Sequence, residues 1–270
     1  MSLTTAPQSE LWTYRKLNRT DMIPISVVMI VKNEESIIQR CLNAVQWAEE
    51  ICVLDTGSSD RTPQICRELG AIVHFLPKWE GFGKARQQAC TLATHDWILS
   101  LDADEVVSPG LAAQLKFMKK TGFEKVSYRV GVRSHYLGKA INYCGWQNET
   151  HIRLFNRQWA GYNDALVHES LVSSVPVKIL PGLIEHYTYP SRKRHLEKMR
   201  FYGALGARKL YASGKRTSLA EAFFRAGFCF VKMYLLKLGF LDGKAGFDLC
   251  KTSSWGTWYK YYLLWKMRKS

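Results

Sequence analysis

Four short apolar runs alternate with amphipathic stretches over the first part of the chain. The runs are almost free of polar residues and cover 25–31, 50–55, 71–76 and 97–101. Strands that are apolar on both faces are typical of a parallel sheet covered by helices on each side. The stretches between the runs carry apolar residues at helical spacing, as at Ile37, Ile38, Cys41, Leu42 and Val45. The pattern therefore predicts an α/β fold, a βαβαβαβ array that forms a doubly wound, mostly parallel sheet.

The pattern changes twice after residue 110. From 123 onwards polar and apolar residues alternate, which predicts antiparallel strands within 124–138 and 150–157. Beyond Pro190 the chain becomes basic and helical, with one helix starting at Ser191 and a second covering 218–238. These changes predict four parts, namely an arm over 1–23, a first half over 24–122, a second half over 123–190 and a helical region over 191–270.

Polar residues follow three of the four predicted parallel strands. Because the carboxyl ends of parallel strands meet at one edge of a sheet, these residues are expected to share one crevice. They are Asn33 and Glu34 after the first strand, Asp55 after the second, and Asp102, Asp104 and Glu105 after the fourth.

Composition and charge narrow the possible partners. The chain of 270 residues is 47% hydrophobic and carries a formal net charge of +15, which favours polyanionic partners. Its seven cysteines form no CxxC pair, a pattern that favours reduced, buried thiols in a cytoplasmic protein. The N-terminal residues contain no apolar stretch of signal-peptide length, so secretion is not expected.

The acids of the crevice have two interpretations each. Asp102 and Asp104 can offer oxygens to one Mg²⁺ or Mn²⁺ that bridges a diphosphate, or Asp102 can cap a turn before the helix that starts at Ser108. Asp55 can accept hydrogen bonds from a ribose or base, or it can shape the turn that follows it. Lys84 and Arg86 follow two glycines at a predicted helix start, where they can bind an anion or remain a solvated face.

Several segments resemble a known enzyme family. The first four resemble the nucleotide-sugar-binding half of inverting family-two glycosyltransferases with the GT-A fold, in the same order and at similar spacing. They are "SVVMIVKNEESIIQRCLNAV", "EICVLDTGSSDRTPQIC", "GKARQQAC" and "WILSLDADE". Four later segments resemble the lipopolysaccharide core glycosyltransferases that add β-1,4-glucose to inner-core heptose, namely "THIRLFNR", "LVHESL", "IEHYTY" and "GFLDGKAGF".

The resemblance implies a UDP-sugar donor, a lipid-linked saccharide acceptor and a divalent cation, Mg²⁺ or Mn²⁺. It makes 24–122 the nucleotide-sugar-binding half and 123–190 the acceptor half. Asp104 matches the metal ligand, and Asp102 lies toward the ribose or the metal. Residues matching the family's nucleotide and diphosphate contacts are Asn33, Glu34, Asp55, Lys84 and Arg86. Thr56 stands where many members carry a second acid.

The same resemblance directs attention to a base in the second half. An inverting transfer needs a carboxylate that takes the acceptor proton, and Glu169 is the first candidate and Asp164 the second. The alternative for Glu169 is an exposed strand glutamate. Arg153 alternates with apolar neighbours and is a candidate cation for the diphosphate, whereas His168 and His186 are either ligands or structural histidines.

The C-terminal region suggests where the protein works. Glu221, Arg225 and Lys232 form one charged stripe on the second helix, which either packs on the rest of the protein or lies on a membrane surface. Residues 253–270 interleave Trp and Tyr with Lys and Arg, so we expect peripheral attachment to the anionic inner face of the cytoplasmic membrane. Two alternatives stay open: transfer to another surface glycan or a peptide, and a single-stranded nucleic-acid-binding protein.

Overall fold

The parallel sheet predicted for the first half is present. The computed structural model describes residues 22–163 and 170–267, so the predicted N-terminal arm lies almost wholly outside the described residues. Four parallel strands lie in the order β3-β2-β1-β4. Their bounds are β1 (Ile25–Val31), β2 (Glu50–Asp55), β3 (Ile72–Phe75) and β4 (Trp97–Asp102).

Helices cover β1, β2 and β4 on both faces, which explains their continuously apolar sequences. The edge strand β3 differs from the prediction, because Ile72 and Phe75 are exposed. Successive side chains of a strand point to opposite faces. Val27 and Met29 accordingly pack in one cluster, and Val28 packs in another on the opposite face. The first cluster includes residues of α1 and α4, and the second includes residues of α3. The helix bounds are α1 (Ile38–Asn43), α2 (Thr62–Glu68), α3 (Phe82–Leu92) and α4 (Pro109–Thr121).

The second half extends the same sheet. From β4 the order continues β8-β6-β11-β5, and β7 pairs with β6. The predicted antiparallel pairing within 124–138 and 150–157 is confirmed by β6 and β8, whereas β11 runs parallel to β6. A separate pair is formed by β9 and β10. The strands are β5 (Glu105–Val107), β6 (Ser127–Tyr136), β7 (Lys139–Ala140), β8 (Glu149–Asn156), β9 (Ala160–Tyr162), β10 (Leu171–Ser173) and β11 (Val177–Tyr189).

The C-terminal region is helical, as predicted. Ser191 caps the first of its helices by accepting a hydrogen bond from the Arg194 N–H. The second ends as an α-helix seven residues earlier than predicted and continues as one turn of π-helix over Lys232–Leu236 and a 3-10 turn over Gly239–Asp242. The helices are α5 (Arg192–Ala212), α6 (Leu219–Val231) and α7 (Gly243–Met267).

Helix α7 packs against both α5 and α6. Gly256 permits the approach to α5, because a Cβ there would lie 2.7 Å from the Met199 Sδ atom. The aromatic segment that begins at residue 253 belongs to α7 as far as Met267, where the described residues end. Among the described helices, none combines the length and apolar content needed to cross a bilayer.

The predicted state of the cysteines is confirmed within the structure. All seven are free thiols, and all except Cys229 are buried.

Candidate active site

Two arginines converge on the acids that follow β4. Arg86 comes from α3 and pairs with the Asp102 carboxylate, and Arg153 comes from the neighbouring strand β8 and donates from Nη2 to Asp102 Oδ2 at 3.0 Å. Arg153 also pairs with Glu105, which is fully buried. The Glu105 carboxylate in turn accepts a hydrogen bond of 3.0 Å from the Asp102 backbone N–H. The structure thus joins four residues from four elements, α3, β4, β5 and β8, into one ionic network.

The two acids of this network differ in their pKa. Burial acts to raise the pKa of Asp102, but Arg86 and Arg153 outweigh it and hold that pKa well below the usual range. Burial raises the pKa of Glu105, and Arg153 offsets the rise only in part. Two permanent cations therefore face one fully ionised carboxylate and one whose ionisation is opposed by burial.

A cavity of about 360 Å³ opens on this network. Arg86, Arg129 and Arg153 all line this first cavity. The Arg153 Nε atom is buried and has no hydrogen-bond partner among residues 22–163 and 170–267. A buried donor without a partner is costly unless a ligand satisfies it. Three guanidinium groups around one cavity suit a diphosphate, whose oxygens accept paired hydrogen bonds from arginine.

Asp104 and His186 form a second pair at the same edge. His186 lies on β11 in register with Glu105 of β5, and its Nε2 atom is 3.2 Å from Asp104 Oδ2. Burial acts to lower the pKa of His186, but the hydrogen bond and charge of Asp104 outweigh it and raise the pKa. His186 also lines the first cavity.

This pair fits part of a metal site. Neighbouring ligands about 2.1 Å from one octahedral ion are about 3 Å apart, close to the spacing of these two atoms. The described parts of the chain contain no group of three or more histidine, cysteine, aspartate or glutamate side chains able to hold an ion. Asp104 and a neutral His186 could therefore supply two ligands, one oxygen and one nitrogen, to an ion that takes its other ligands from phosphates and water.

Asp102 was predicted as a further metal ligand, and that role stays a prediction. In the structure both of its carboxylate oxygens contact arginines, Oδ1 with Arg86 and Oδ2 with Arg153. Asp104 is the acid of the pair that no described arginine holds in an ion pair.

The loops after β1 and β2 bind each other. Asn33 has a positive φ of 57°, and its Oδ1 atom accepts a hydrogen bond of 2.8 Å from the Ser59 N–H. Asp55 is buried, and its Oδ1 atom accepts from the N–H groups of Gly57 at 2.8 Å and Ser58 at 2.7 Å. Asp55 thus shapes its own loop, which was one of its two interpretations. Direct contacts of Asn33 and Asp55 with a nucleotide stay predictions.

Glu34 and Lys84 differ in their surroundings. The Glu34 N–H donates to Thr62 Oγ1 at 2.8 Å. Burial and the charge of Asp104 raise the pKa of Glu34 to about 7, although Arg194 and Lys198 of α5 act against the rise. Glu34 therefore shares the crevice with Asp104. Lys84 is half-exposed and pairs with Glu80 at 3.2 Å, and it is not among the described residues that line the first cavity.

The candidate bases Asp164 and Glu169 lie outside the described residues, as does His168. Residues that precede and follow this segment line the first cavity. Tyr162 and Ser170 both line the first cavity. Asn163 holds the two sides together, because its Nδ2 atom donates to Ser170 Oγ at 2.9 Å. The assignment of Glu169 or Asp164 as the base stays a prediction.

Some residues of the first cavity were not predicted. Arg129 alternates with Tyr128 and Val130 in the sequence, so its position on one face of a strand was visible, but the cavity it faces was not. Tyr162 carries no comparable signal. Its hydroxyl donates to Ser100 Oγ at 2.8 Å across the sheet.

A second cavity of about 360 Å³ adjoins the first. Thr150 of β8 lines both. The other residues that line the second cavity include Arg133, Asn142, Trp146, Gln147, Asn148 and Glu149. A tryptophan beside amide, carboxylate and guanidinium groups provides an apolar surface with polar groups around it, a combination that suits a sugar ring.

Comparison with known proteins gives a family and several relatives. The model of Glycosyl transferase family 2 matches residues 26–160. An uncharacterized glycosyltransferase of Rickettsia prowazekii is 28% identical over 84% of this chain and 81% of its own length. A lipopolysaccharide core biosynthesis glycosyltransferase of Rhizobium meliloti is 25% identical over 83% of this chain and 86% of its own.

Among solved structures, the chain is similar to glucosyl-3-phosphoglycerate synthase from Mycobacterium tuberculosis in complex with Mn²⁺, UDP and glucosyl-3-phosphoglycerate. The similarity covers 42% of this chain and 44% of that one, at 25% identity and with a TM-score of 0.35.

Proposed function

The chain belongs to glycosyl transferase family 2, and we propose that it transfers glucose from UDP-glucose to a heptose of a lipopolysaccharide core, with inversion at the anomeric carbon. The observation that carries the donor side is the cavity lined by Arg86, Arg129 and Arg153 at the carboxyl end of β4. The acceptor is supported by the 25% identity to the lipopolysaccharide core glycosyltransferase over 83% of this chain.

The diphosphate of the donor binds in the first cavity. Arg153 donates to it from Nε, the buried atom that has no partner among the described residues. Arg86 and Arg153 are held in place by Asp102, so their guanidinium groups are oriented before the donor arrives. Asp104 and His186 would hold the divalent cation, Mg²⁺ or Mn²⁺. When bound, such a cation supplies positive charge against the leaving UDP.

The transfer is a single displacement. The acceptor hydroxyl oxygen forms a bond to the anomeric carbon as the bond from that carbon to UDP breaks, and the hydroxyl proton passes to a carboxylate. We assign that carboxylate to Glu169, with Asp164 as the alternative. The assignment is supported by the neighbouring residues Tyr162 and Ser170, which line the first cavity.

The acceptor saccharide binds in the second cavity. Trp146 offers a face for a sugar ring, and Asn142 and Glu149 offer polar groups for its hydroxyls. The two cavities share Thr150, so a saccharide in one lies next to a donor in the other. Because this acceptor is linked to lipid, the enzyme works as a peripheral protein at the inner face of the cytoplasmic membrane.

A transfer assay tests the proposal. Purified protein is incubated with UDP-glucose, Mg²⁺ or Mn²⁺ and a core saccharide ending in heptose, and both UDP release and the gain of one hexose by the acceptor are measured. Arg153→Lys should lose most activity because one ammonium replaces a forked guanidinium. Lys178→Ala, which removes an exposed pair with Glu124, is the matched control.

Two outcomes would contradict the proposal in different ways. UDP release without any gain of mass on the heptose acceptor would retain the donor and exclude this acceptor. An absence of UDP release with every donor and acceptor supplied would exclude the transfer activity itself.

A further inference from the structure

Positive charge is concentrated in the last part of the chain. Residues 191–270 contain 18 lysines and arginines against 4 aspartates and glutamates, a net charge of +14. Residues 1–190 contain 20 against 19, a net charge of +1. The cations that give the protein its high pI therefore belong to the helical region rather than to the sheet that forms the two cavities.

Helix α6 in that region buries small residues and exposes large apolar ones, unlike an ordinary surface helix. Its buried residues are small, Ala222 and Ala226, and Ser254 of α7 donates to the Ala226 carbonyl at 2.7 Å. Several of its large apolar residues are exposed, with Phe224 73% and Phe228 55% exposed, whereas Phe230 packs against a buried cluster. A surface helix normally turns its apolar stripe toward the core. In α6 the apolar stripe is exposed instead.

The exposed stripe continues past the end of α6. Leu235 and Leu236 in the π-helical turn are 52% and 67% exposed, and Leu241 in the 3-10 turn is 53% exposed. We define the apolar edge as Phe223, Phe224, Phe228, Leu235, Leu236 and Leu241. Exposed large apolar residues grouped along one segment can mark an interaction site with a protein or a membrane.

Basic residues border the apolar edge. Arg225, Lys232 and Lys237 are all exposed, and each lies within a few residues of an edge phenylalanine or leucine. Long basic side chains can keep their charge among lipid headgroups while their stems lie along apolar surface. Exposed phenylalanine and leucine beside lysine and arginine are the composition of helices that lie in a membrane interface.

We infer that the apolar edge inserts into the interfacial layer of an anionic lipid bilayer, with Arg225, Lys232 and Lys237 at the level of the headgroup phosphates. The protein lies on the membrane with α6 in its plane. This orientation agrees with the finding that no described helix is long and apolar enough to cross a bilayer.

Charge favours lipid over the two other classes of partner. A second copy of the chain would bring two regions of net charge +14 face to face, which is repulsive. A nucleic acid would pair with the cations, but the leucines of the edge would gain nothing from phosphates or base edges. An anionic bilayer satisfies the cations and the apolar residues together.

The apolar edge is joined directly to the second cavity. Asp242, next to Leu241, accepts hydrogen bonds from the N–H groups of Asn142 at 3.0 Å and Tyr143 at 2.9 Å. The Lys237 carbonyl accepts another, of 3.0 Å, from the Cys144 N–H. If the apolar edge binds a bilayer, the loop that contains Asn142, Tyr143 and Cys144 is therefore held next to the membrane. This last step rests on the proposed function, because it requires an acceptor anchored in lipid.

A vesicle-binding experiment tests the inference on the full chain. The double variant Phe224→Ser, Phe228→Ser is compared with the unchanged protein and with Phe117→Ser, which removes a phenylalanine 58% exposed on α4. Binding is measured by sedimentation with vesicles of phosphatidylglycerol and phosphatidylethanolamine, and with vesicles of phosphatidylcholine alone. Far-UV circular dichroism checks that each variant is folded.

We expect the unchanged protein and Phe117→Ser to bind the anionic vesicles equally and to bind phosphatidylcholine far less. The double variant should bind the anionic vesicles at least 10-fold more weakly, because two side chains no longer leave water. Lys232→Glu with Lys237→Glu should also weaken binding and reduce its dependence on salt.

Three results would overturn the inference. The first is equal binding of the double variant and the unchanged protein to anionic vesicles. The second is a dimer, seen by light scattering, that the double variant disperses without any effect of vesicles. The third is binding to single-stranded RNA in place of vesicles. Transfer to a soluble heptose saccharide is measured in parallel. Absence of turnover in the unchanged protein would contradict the proposed function without contradicting the membrane surface.

Discussion

The sheet and helix α6 bury opposite kinds of side chain. In the sheet, large apolar residues such as Leu99 and Leu101 are fully buried, and the charged groups at the strand ends are paired with one another. In α6, alanines are buried and phenylalanines are exposed. Since burial of apolar surface stabilises a fold, the sheet draws its stability from its own core. Helix α6 leaves Phe223, Phe224 and Phe228 exposed, as expected if they contact the membrane inferred above.

The largest expected difference in unfolding free energy is between the substitutions of two ion-paired arginines, one in each region. Arg153→Ala leaves Glu105 and part of Asp102 buried without a partner, which should lower the free energy of unfolding by about 3–5 kcal/mol. Arg225→Ala removes an exposed pair with Glu221 and should cost less than about 1 kcal/mol. Urea unfolding of both variants measures the difference, and similar losses would show that the two ionic environments are alike.

Arg153→Lys separates stability from donor binding in the same network. The ammonium retains a charge beside the acids, so the variant should unfold at nearly the urea concentration of the unchanged protein. It should nevertheless bind UDP-glucose more weakly, because the single ammonium nitrogen of lysine cannot donate from the position of Nε as well as to the acids. Calorimetric titration with UDP-glucose measures this, and unchanged affinity would place the diphosphate elsewhere.

The next largest difference in unfolding free energy is expected between the substitution of a buried leucine and that of an exposed phenylalanine. Leu99→Ala leaves a cavity in the centre of β4 and should lower the free energy of unfolding by about 4 kcal/mol. Phe224→Ala, in the absence of lipid, should change it by less than about 0.5 kcal/mol because the side chain is 73% exposed. A large loss for Phe224→Ala in water would mean that this residue packs on the protein, and the contrast between the regions would fail.

His195 tests the joint between the two regions. It lies at the start of α5, is buried, and stacks on Tyr189 of β11 with ring centroids 4.0 Å apart. Burial, with a smaller contribution from Lys198, lowers its pKa to about 4. The unfolded chain takes up a proton near pH 6.5, whereas the folded protein resists it until about pH 4. His195 alone should therefore lower the free energy of unfolding by about 3 kcal/mol as the pH falls from 6.5 to 4, whereas Glu34, with its raised pKa, acts in the opposite direction.

The variant His195→Gln identifies the source of that pH dependence. It should unfold more easily at pH 7 and lose less stability between pH 6.5 and 4, since the buried group no longer titrates. His74→Gln, on the edge strand β3, controls for the substitution itself. The interpretation fails if His195→Gln retains the full pH dependence of the unchanged protein.

The sequence predicts the two regions unequally for physical reasons. Continuous apolar runs identify the parallel strands because only strands covered on both faces need them, and the strand ends then bring Asp102 and Asp104 to one edge. Strand β8 lies between β4 and β6 through pairing of residues that are far apart in the sequence. The local pattern therefore could not predict that Arg129 and Tyr162 both line the first cavity. The periodicity of α6 gives an amphipathic helix but cannot indicate that its apolar side faces outward.

The smallest expected effect compares the serine caps of two helices. Ser108 Oγ accepts hydrogen bonds from the Leu111 N–H at the start of α4 and from the Leu183 N–H of β11, both at 3.3 Å. Ser218 Oγ accepts only from the Glu221 N–H of α6 among the described residues, at 3.1 Å. Ser108→Ala removes a cap that also joins α4 to the sheet, so it should lower the free energy of unfolding by about 2 kcal/mol, and Ser218→Ala by about 0.5–1 kcal/mol.

The same two substitutions distinguish the regions when lipid is present. If α6 lies in a membrane interface, bound anionic vesicles hold the helix, and the weakened N-terminus of Ser218→Ala should fray less. Hydrogen exchange of α6 amides should then be faster than in the unchanged protein without vesicles and nearly equal to it with them. The α4 amides of Ser108→Ala should exchange faster under both conditions, because the sheet that α4 covers has no contact with lipid. Equal protection of both helices by vesicles would contradict the division of the molecule into a self-sufficient sheet and a membrane-directed helical region.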